Sequence, residues 1–485
     1  MSANVTSGTR SARDARFVAG LALITVALIS IFTIGVASRA SEDPAGSGPV
    51  IATLGMTAAV ILGLAFVIPT AFTWVDVRVT PGWPYIVGGV SALIALMGWL
   101  LVVVSPATGA AFYRAIRLPQ GVVQFWDLRL TLETVDCARW GFNVFETNNG
   151  CLADPSIYGP GITWWRFTFG LLTESNTTLW GLLVIVGASI ALAWVAKQSF
   201  GLAAVVLLAA AVGAPWQLLL ERANVDALVL MIAVFAVWLT RRWSSYWAWS
   251  IAALGIWLAG TWKYYPFVLA ILLLPVVGLR RGWIVLAGFA AATVAFFVLT
   301  WDNVLLSLAA SSGMAELGDF VVLGRIPVVA RLPETWSTGD VLFAAICAVA
   351  IAWGWFLGRT KHPNPPSQRI PVWVLPALAG GLLYLSSVAL TGFAYGYKAA
   401  FLVLLVPGLR VRNHWPRIAV WSTLVAIALL LISFVVVWNT VLATLAGVVV
   451  ASLVVGQATY VLIRWCRAWL SPKNPSIPAG QSQEA

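Results

Sequence analysis

The stretch PWQLLLERANVDALVLM, which runs from Pro215 to Met231, places polar side chains between two apolar runs that each approach the width of a bilayer. Lipid cannot satisfy such groups, so within a membrane protein they usually face other protein segments or a water-filled cavity. A plainer interpretation is that two of them cap the second helix and two end the first at the membrane surface. The polar residues are Glu221, Arg222, Asn224 and Asp226.

The composition of the whole chain is that of a polytopic membrane protein. Of its 485 residues, 60% are apolar and 10% are charged, and the mean hydropathy is +0.90. A soluble chain of this length needs more polar surface. We therefore treat residues 1–485 as one all-α transmembrane bundle. About fourteen apolar segments predict its spans, at residues 17–37, 50–74, 85–104, 178–196, 202–220, 225–239, 247–262, 265–279, 283–300, 341–357, 372–390, 394–409, 418–437 and 441–463.

The distribution of charge predicts the topology. If the N-terminus is cytoplasmic, the cytoplasmic connections hold 18 of the 29 Lys and Arg residues but only three of the 18 acids. This asymmetry follows the positive-inside rule, so the net charge of +11 predicts orientation and no nucleic-acid partner. The C-terminus is then cytoplasmic too, and residues 474–485 predict a disordered tail. The outer face receives residues 105–176, residues 301–340 and the short connections ERANVD, TWKYYP and GFAYGYK.

Acidic side chains are the candidate proton acceptors of the outer face. Both histidines, His362 and His414, lie in predicted inner loops, so a carboxylate must do any proton work outside. Residues 124–145 offer three acids, although a solvated charge or a helix cap is the plain interpretation of each. The sequence contains no CxxC, HExxH or GxSxG motif and no compact acidic metal site, so no metal is predicted. The three acids are Asp127, Glu133 and Asp136, and the candidate disulfide of this segment is Cys137 with Cys151.

Three cations on the predicted outer face run against the positive-inside tendency. Arg222, Lys263 and Lys398 all lie in short outer connections. Lys263 stands beside Trp262, Tyr264 and Tyr265, so snorkelling within an aromatic belt is one explanation. The other explanation is an anionic partner, for which a lipid phosphate at the membrane surface is the natural candidate.

Several short motifs follow one another on the predicted outer side, over roughly residues 120–280. In their order they resemble the polyprenyl-phosphate-dependent glycosyltransferases of the GT-C superfamily, most closely glycosyltransferase family 87 with its mannosyltransferases. The acidic loop follows the third predicted span, whereas the family usually places it after the first. The motifs are Asp127-Leu128, Ala138, Gly141, Asn143-Val144-Phe145, Tyr158-Gly159-Pro160, the turn Arg222 to Asp226, and Lys263 to Pro266.

The resemblance implies a GT-C-like bundle with a long outer catalytic loop in a bacterial inner membrane. It implies a hexosyltransferase that moves a sugar, with mannose expected, from a polyprenyl-phosphate donor to a lipid-linked or glycan acceptor with inversion. No cofactor is expected. Two rival hypotheses remain: a transporter or lipid flippase, and a lipid-linked glycan ligase with a diphosphate donor. The implied roles are Asp127 as base, with Asp136 or Glu133 as substitutes; Arg222, Lys263, Lys398 and Arg325 at the phosphate; and Glu221, Asn224, Asp226, Tyr264, Tyr265 and Asp136 at the sugar or acceptor.

Overall fold

The computed structural model of the chain describes residues 82–115, 118, 124–146, 150–199, 202–243, 245–278, 282–317, 338–361, 370–391, 396–408 and 437–470. Throughout these residues the regular structure is helical, and no strand occurs among them. The predicted spans 17–37 and 50–74, nearly all of 418–437, the tail 474–485 and the candidate Arg325 lie outside the described residues.

Twelve α-helices and two long 3₁₀ helices make up the described bundle. We name the 3₁₀ helices the Tyr265 segment (Tyr265–Gly278) and the Tyr397 segment (Gly396–Gly408). Two shorter 3₁₀ helices, Pro160–Phe167 and Glu174–Asn176, lie in residues 105–176, which we name the outer segment after its predicted location. The α-helices are α1 Trp83–Val104, α2 Pro106–Ala115, α3 Trp126–Arg139, α4 Thr177–Lys197, α5 Leu202–Val212, α6 Ala214–Arg222, α7 Val225–Arg242, α8 Tyr246–Trp262, α9 Gly282–Leu317, α10 Thr338–Lys361, α11 Val374–Thr391 and α12 Val437–Leu470.

The helices are those of a membrane protein. Within the described ranges, four are long and apolar enough to cross a bilayer: Trp83–Val104, Glu174–Lys197, Gly282–Ala310 and Gly447–Ala468. A fifth span results if the bent pair α6 and α7 counts as one. The prediction of an all-helical membrane protein is confirmed, whereas the number of fourteen spans stays a prediction.

The stretch with which the sequence analysis began forms a sharp bend. The apolar run 202–220 is not one helix, because Gly213 separates α5 from α6. The helix α6 ends at Arg222, and Ala223 adopts a left-handed conformation with φ 46°. Asn224 then caps α7, so the axes of α6 and α7 differ by 107°. The polar residues of this stretch therefore lie at the bend, at the end of α6 and the start of α7.

The outer segment between α1 and α4 is built around α3 and packs on the bundle. Cys137 of α3 is joined to Cys151 by a disulfide. With Val144 and Phe145 these cysteines form a small apolar core apart from the main one. The ion pair of Arg129 with Glu174 and the hydrogen bond from the Glu174 backbone N–H to Asp136 link α3 to the chain that enters α4, and Arg139 pairs with Asp136 within α3.

The later helices complete the core behind this segment. The helix α10 packs along α12, and α11 packs against α12 and the Tyr397 segment. Close approach of α10 and α12 depends on glycine, because a Cβ atom at Gly354 would lie 2.1 Å from the Leu453 carbonyl oxygen. The helix α9 changes direction at Thr300, where the sequence predicted the end of a span, and continues to Leu317.

Candidate functional site

The outer segment brings Asp127 to the bundle at the start of α3. Phe125, two residues before Asp127, has φ 55° and donates its backbone N–H to the Glu221 carbonyl oxygen over 3.0 Å. The Phe125 ring is buried against Gly181, where a Cβ atom would lie 2.4 Å from the ring. A left-handed phenylalanine is strained, and here packing and one hydrogen bond hold it in place. The consequence is that the first turn of α3 is fixed next to the end of α6.

Asp127 is paired with two side chains from the bend between α6 and α7. Its Oδ1 atom lies 3.2 Å from Arg222 Nη1, and its Oδ2 atom accepts a hydrogen bond of 2.5 Å from Asn224 Nδ2. The Asn224 Oδ1 atom accepts from the Asp226 backbone N–H over 2.9 Å, as an N-cap does. The left-handed Ala223 between these two partners of Asp127 lets both reach the same carboxylate. One bend therefore supplies a cation and an amide to an acid 95 residues away.

A second carboxylate, Asp226, is the second residue of α7, directly after the bend, and is fully buried. Its Oδ1 atom lies 2.8 Å from Lys263 Nζ and accepts a hydrogen bond of 2.6 Å from the Tyr265 hydroxyl. Lys263 also donates to Asn224 Oδ1 over 3.2 Å, and its ammonium lies 5.2 Å from the centre of the Tyr158 ring. Lys263 thereby joins the Asp127 pair to the Asp226 pair.

The Tyr397 segment closes the cluster from the later part of the chain. The Tyr397 hydroxyl accepts a hydrogen bond of 3.2 Å from Asn224 Nδ2. Lys398 is buried, donates to the Ser387 carbonyl oxygen over 3.1 Å and interacts electrostatically with Asp226. A second lysine thus adds its charge to the field around Asp226.

The loop that carries Tyr158 docks on the end of α8 through glycine backbone. A Cβ atom at Gly159 would lie 2.3 Å from the Thr261 carbonyl oxygen, and one at Gly161 would lie 2.1 Å from Thr261 Oγ1. The close approach buries the Tyr158 ring beside Lys263. Burial, and secondarily the charge of Asp127, raises the pKa of Tyr158, so its hydroxyl keeps its proton.

Three acids and three bases meet in this group, so the group is close to neutral as a whole. Burial of charge is costly unless the charges are paired and hydrogen-bonded, and each pair here has at least one further polar partner. Two acceptor atoms, Asp226 Oδ2 and Glu221 Oε2, are buried without a hydrogen-bond partner among the described residues. We call the group the charged cluster: Asp127, Glu221, Arg222, Asn224, Asp226, Lys263, Tyr265, Tyr397 and Lys398.

Two residues that the sequence proposed for the site lie apart from the charged cluster. Asp136 pairs with Arg139 and accepts the Glu174 backbone N–H over 2.9 Å, so it fastens the outer segment. The Tyr264 hydroxyl lies 2.5 Å from Ser307 Oγ of α9, on a different side of the chain from its neighbour Tyr265. Neither side chain contacts a residue of the cluster in the described contacts.

The structure also adds residues that the sequence analysis did not select. Tyr397 stands beside Lys398 in the connection GFAYGYK, but only Lys398 was chosen there, because charge is the stronger signal in a membrane protein. Tyr158 was noticed as part of a motif and given no role. Its contact with Lys263 depends on the docking of a distant loop, which no local pattern reveals.

The arrangement is suited to binding and to acid–base chemistry. Asp127 offers a carboxylate that is held by two donors at the edge of the bundle, and its side chain is 12% exposed. The Arg222 and Lys263 side chains are 27% and 17% exposed, so they are partly accessible to an anion. In the described part of the chain, no three His, Cys, Asp or Glu side chains are grouped so as to hold a metal ion. Comparisons with protein-family models, with curated proteins and with solved structures found no match to this chain.

Proposed function

We propose that the chain is a membrane glycosyltransferase that moves a hexose, with mannose expected, from a polyprenyl-phosphate donor to a lipid-linked or glycan acceptor. The observation that carries the proposal is the convergence of Asp127, Arg222, Asp226 and Lys263 within one network of contacts. These residues come from segments far apart in the sequence, and together they supply two carboxylates and two cations at one place.

The proposed reaction assigns a role to each charge. The Asp127 carboxylate takes the proton of the acceptor hydroxyl while the acceptor oxygen forms a bond to the anomeric carbon. The bond between that carbon and the phosphate oxygen breaks, and its electron pair leaves with the polyprenyl phosphate. Arg222 and Lys263 stabilise the phosphate that departs, with Lys398 adding its charge nearby. Attack from the face opposite the phosphate inverts the anomeric centre.

The setting of the site is part of the proposal. It comprises a GT-C-like bundle of about fourteen spans in a bacterial inner membrane, with both termini cytoplasmic and the site on the outer face of the cell envelope. Support comes from the segments that meet in the charged cluster: residues 105–176, ERANVD, TWKYYP and GFAYGYK are all assigned to the outer side by the charge distribution. Contact among segments on opposite sides of a bilayer would be impossible.

The experiment is a transfer assay with membranes that contain the full chain. Labelled polyprenyl-phosphate mannose and an extract of acceptor lipids are incubated with wild type, Asp127→Asn and Glu174→Gln. Asp127→Asn keeps the shape of the side chain and removes the base, so transfer should fall by about 10²- to 10⁴-fold. Glu174→Gln removes an exposed carboxylate of the same outer segment and should leave transfer unchanged. Equal transfer by wild type and Asp127→Asn, at equal protein level, would contradict the assignment of the base.

A transporter or lipid flippase is the second candidate, and the bend between α6 and α7 is the observation that favours it. Discontinuous helices with charged groups at the break form substrate sites in many transporters. The two candidates differ in product. A flippase moves an unchanged prenyl-phosphate sugar across a proteoliposome membrane without any acceptor, whereas the proposed enzyme leaves the donor on its original side until an acceptor is added.

A further inference from the structure

A second polar group shares Glu221 with the charged cluster, and none of its members takes part in the reaction proposed above. The Gln124 group, as we name it, consists of Tyr113, Gln124 and Glu221. Gln124 Nε2 donates a hydrogen bond of 2.6 Å to the Tyr113 hydroxyl. Tyr113 and Glu221 are close enough to interact electrostatically, and Glu221 interacts in the same way with Asp127. The group therefore lies at the side of the candidate base.

The backbone around Phe125 keeps the group in position. The hydrogen bond from the Phe125 backbone N–H to the Glu221 carbonyl oxygen ties the residue after Gln124 to the end of α6. On the other side, Gly98 of α1 makes room for Tyr113, because a Cβ atom there would lie 2.7 Å from the Tyr113 hydroxyl oxygen. The three side chains thus come from three elements that are each fastened independently of any ligand.

Two hydrogen-bond acceptors of this group are buried and unpartnered. Gln124 Oε1 and Glu221 Oε2 each have no donor within the described parts of the chain, although both atoms are shielded from solvent. A buried acceptor without a donor destabilises the protein, and more so when the acceptor is charged. Both acceptors lie in the group that already holds the Tyr113 hydroxyl, which is a further donor and acceptor.

We propose that Tyr113, Gln124 and Glu221 form a subsite that recognises the hydroxyl groups of a sugar ring beside Asp127. A sugar ring presents neighbouring hydroxyls, each able to donate to one carboxylate or amide oxygen and to accept from a third group. This inference rests on the proposed function for its ligand class, because a sugar held here brings its reacting atom to the carboxylate of Asp127. The ring belongs either to the phosphate-linked donor or to the phosphate-free acceptor.

The test measures binding and does not depend on turnover. Full-length protein in lipid nanodiscs is titrated with short-chain prenyl-phosphate mannose, with its four monodeoxy forms and with a phosphate-free mannosyl lipid, and tryptophan fluorescence reports binding. In wild type, one missing hydroxyl should weaken binding by about tenfold or more, because the site's acceptors are then left unpaired. Gln124→Leu and Glu221→Gln should weaken binding of the parent probe by a similar factor. They should leave unchanged the binding of the deoxy probe that lacks the recognised hydroxyl.

Further variants separate a local effect from misfolding. Tyr113→Phe keeps the ring that packs near Gly98 and removes only the hydroxyl, so we expect a smaller loss, of a few fold. Glu174→Gln, an exposed carboxylate of the outer segment, serves as the control and should bind all probes as wild type does. A loss confined to the phosphate-bearing probes assigns the ring to the donor, and a loss confined to the mannosyl lipid assigns it to the acceptor.

Three outcomes would overturn the subsite. In the first, wild type binds none of the probes. In the second, the variants lose affinity for every deoxy probe as strongly as for the parent probe. In the third, the variants bind all probes with wild-type affinity. Failure of the proposed reaction has a different signature. If the subsite is correct and the reaction is not, hydroxyl-dependent binding persists in wild type and in Asp127→Asn, while no labelled sugar reaches any acceptor lipid in the transfer assay.

Discussion

The chain holds ion pairs in two regions that differ in burial, and the difference separates two uses of charge. In the charged cluster, the Asp226 side chain is 0% exposed and that of its partner Lys263 is 17% exposed. In the outer segment, Arg129 and Glu174 pair at 44% and 39% exposure. Solvent screens the exposed pair, which is worth less than about 1 kcal/mol, whereas loss of one partner from a buried pair leaves an uncompensated charge.

This contrast supports the proposal that the charged cluster is kept for binding and chemistry. A buried pair adds little stability compared with apolar residues of the same size, because the desolvation of both charges offsets their attraction. A chain selected for stability alone has no need for three acids and three bases in one buried place. The outer segment uses its charges as fasteners, as the contacts of Asp136 with Arg139 and with the Glu174 backbone illustrate.

Removal of one buried charge gives the largest effect that we expect. Asp226→Asn keeps the shape of the side chain but leaves Lys263 and the nearby Lys398 without their shared counter-charge. The free energy of unfolding should fall by about 3–5 kcal/mol, measured by denaturant unfolding in detergent. The double variant Asp226→Asn with Lys263→Met should recover part of this loss. If single and double variants unfold alike, the charges of the cluster are not coupled.

Removal of the disulfide tests the covalent fastening of the outer segment. Cys137→Ser with Cys151→Ser should lower the free energy of unfolding of the outer segment by about 2–4 kcal/mol. The effect should be seen as faster proteolysis between α3 and the Tyr158 loop, measured by limited digestion. The helices of the bundle should keep their protection, because the disulfide belongs to a small apolar core apart from the main one. Equal digestion of variant and wild type would show that the ion pairs alone hold the segment.

A methyl group at the docking point of the Tyr158 loop should have an intermediate effect. Gly161→Ala places a Cβ atom 2.1 Å from Thr261 Oγ1, and Thr261 is buried with its hydroxyl donating to the Leu258 carbonyl oxygen. The loop must move, at a cost of about 1–3 kcal/mol in thermal or denaturant unfolding. Gly89→Ala on α1 is the matched control, because nothing lies within 4 Å of its added Cβ atom and stability should be unchanged or slightly raised. Equal behaviour of the two variants would contradict the close docking.

Hydropathy predicted most helices of the bundle, because an apolar run in a membrane protein has few alternatives to a helix. The helices α4 and α8 occupy Thr177–Lys197 and Tyr246–Trp262, within two residues of the predicted spans 178–196 and 247–262. The division of residues 202–220 at Gly213 was not predicted, since hydropathy does not register a break that leaves an apolar run intact.

The residues of the charged cluster were selected from the sequence where charge was the signal. Asp127, Arg222, Asn224, Asp226 and Lys263 were selected because polar groups in an apolar chain demand an explanation, and the structure brings them together. The sequence could not show that Tyr264 and Tyr265 point to different partners, because adjacent residues differ in direction only once the backbone is known. The same holds for Tyr397, whose partner Asn224 is 173 residues away.

The smallest effect should come from the exposed pair of the outer segment. Glu174→Gln removes the partner of Arg129, but it also removes a like charge from Glu133, whose pKa is raised by partial burial and secondarily by Glu174. A carboxyl whose pKa is raised in the folded state stabilises the fold at pH values below its ordinary, unfolded-state pKa. This stabilisation is lost as the pH rises through the folded-state pKa. The variant should therefore show a shallower loss of stability above about pH 4 and differ from wild type by less than about 1 kcal/mol at pH 7. Thermal unfolding in detergent between about pH 4 and 8 checks this. A loss at pH 7 as large as that of Asp226→Asn would erase the distinction between the two regions.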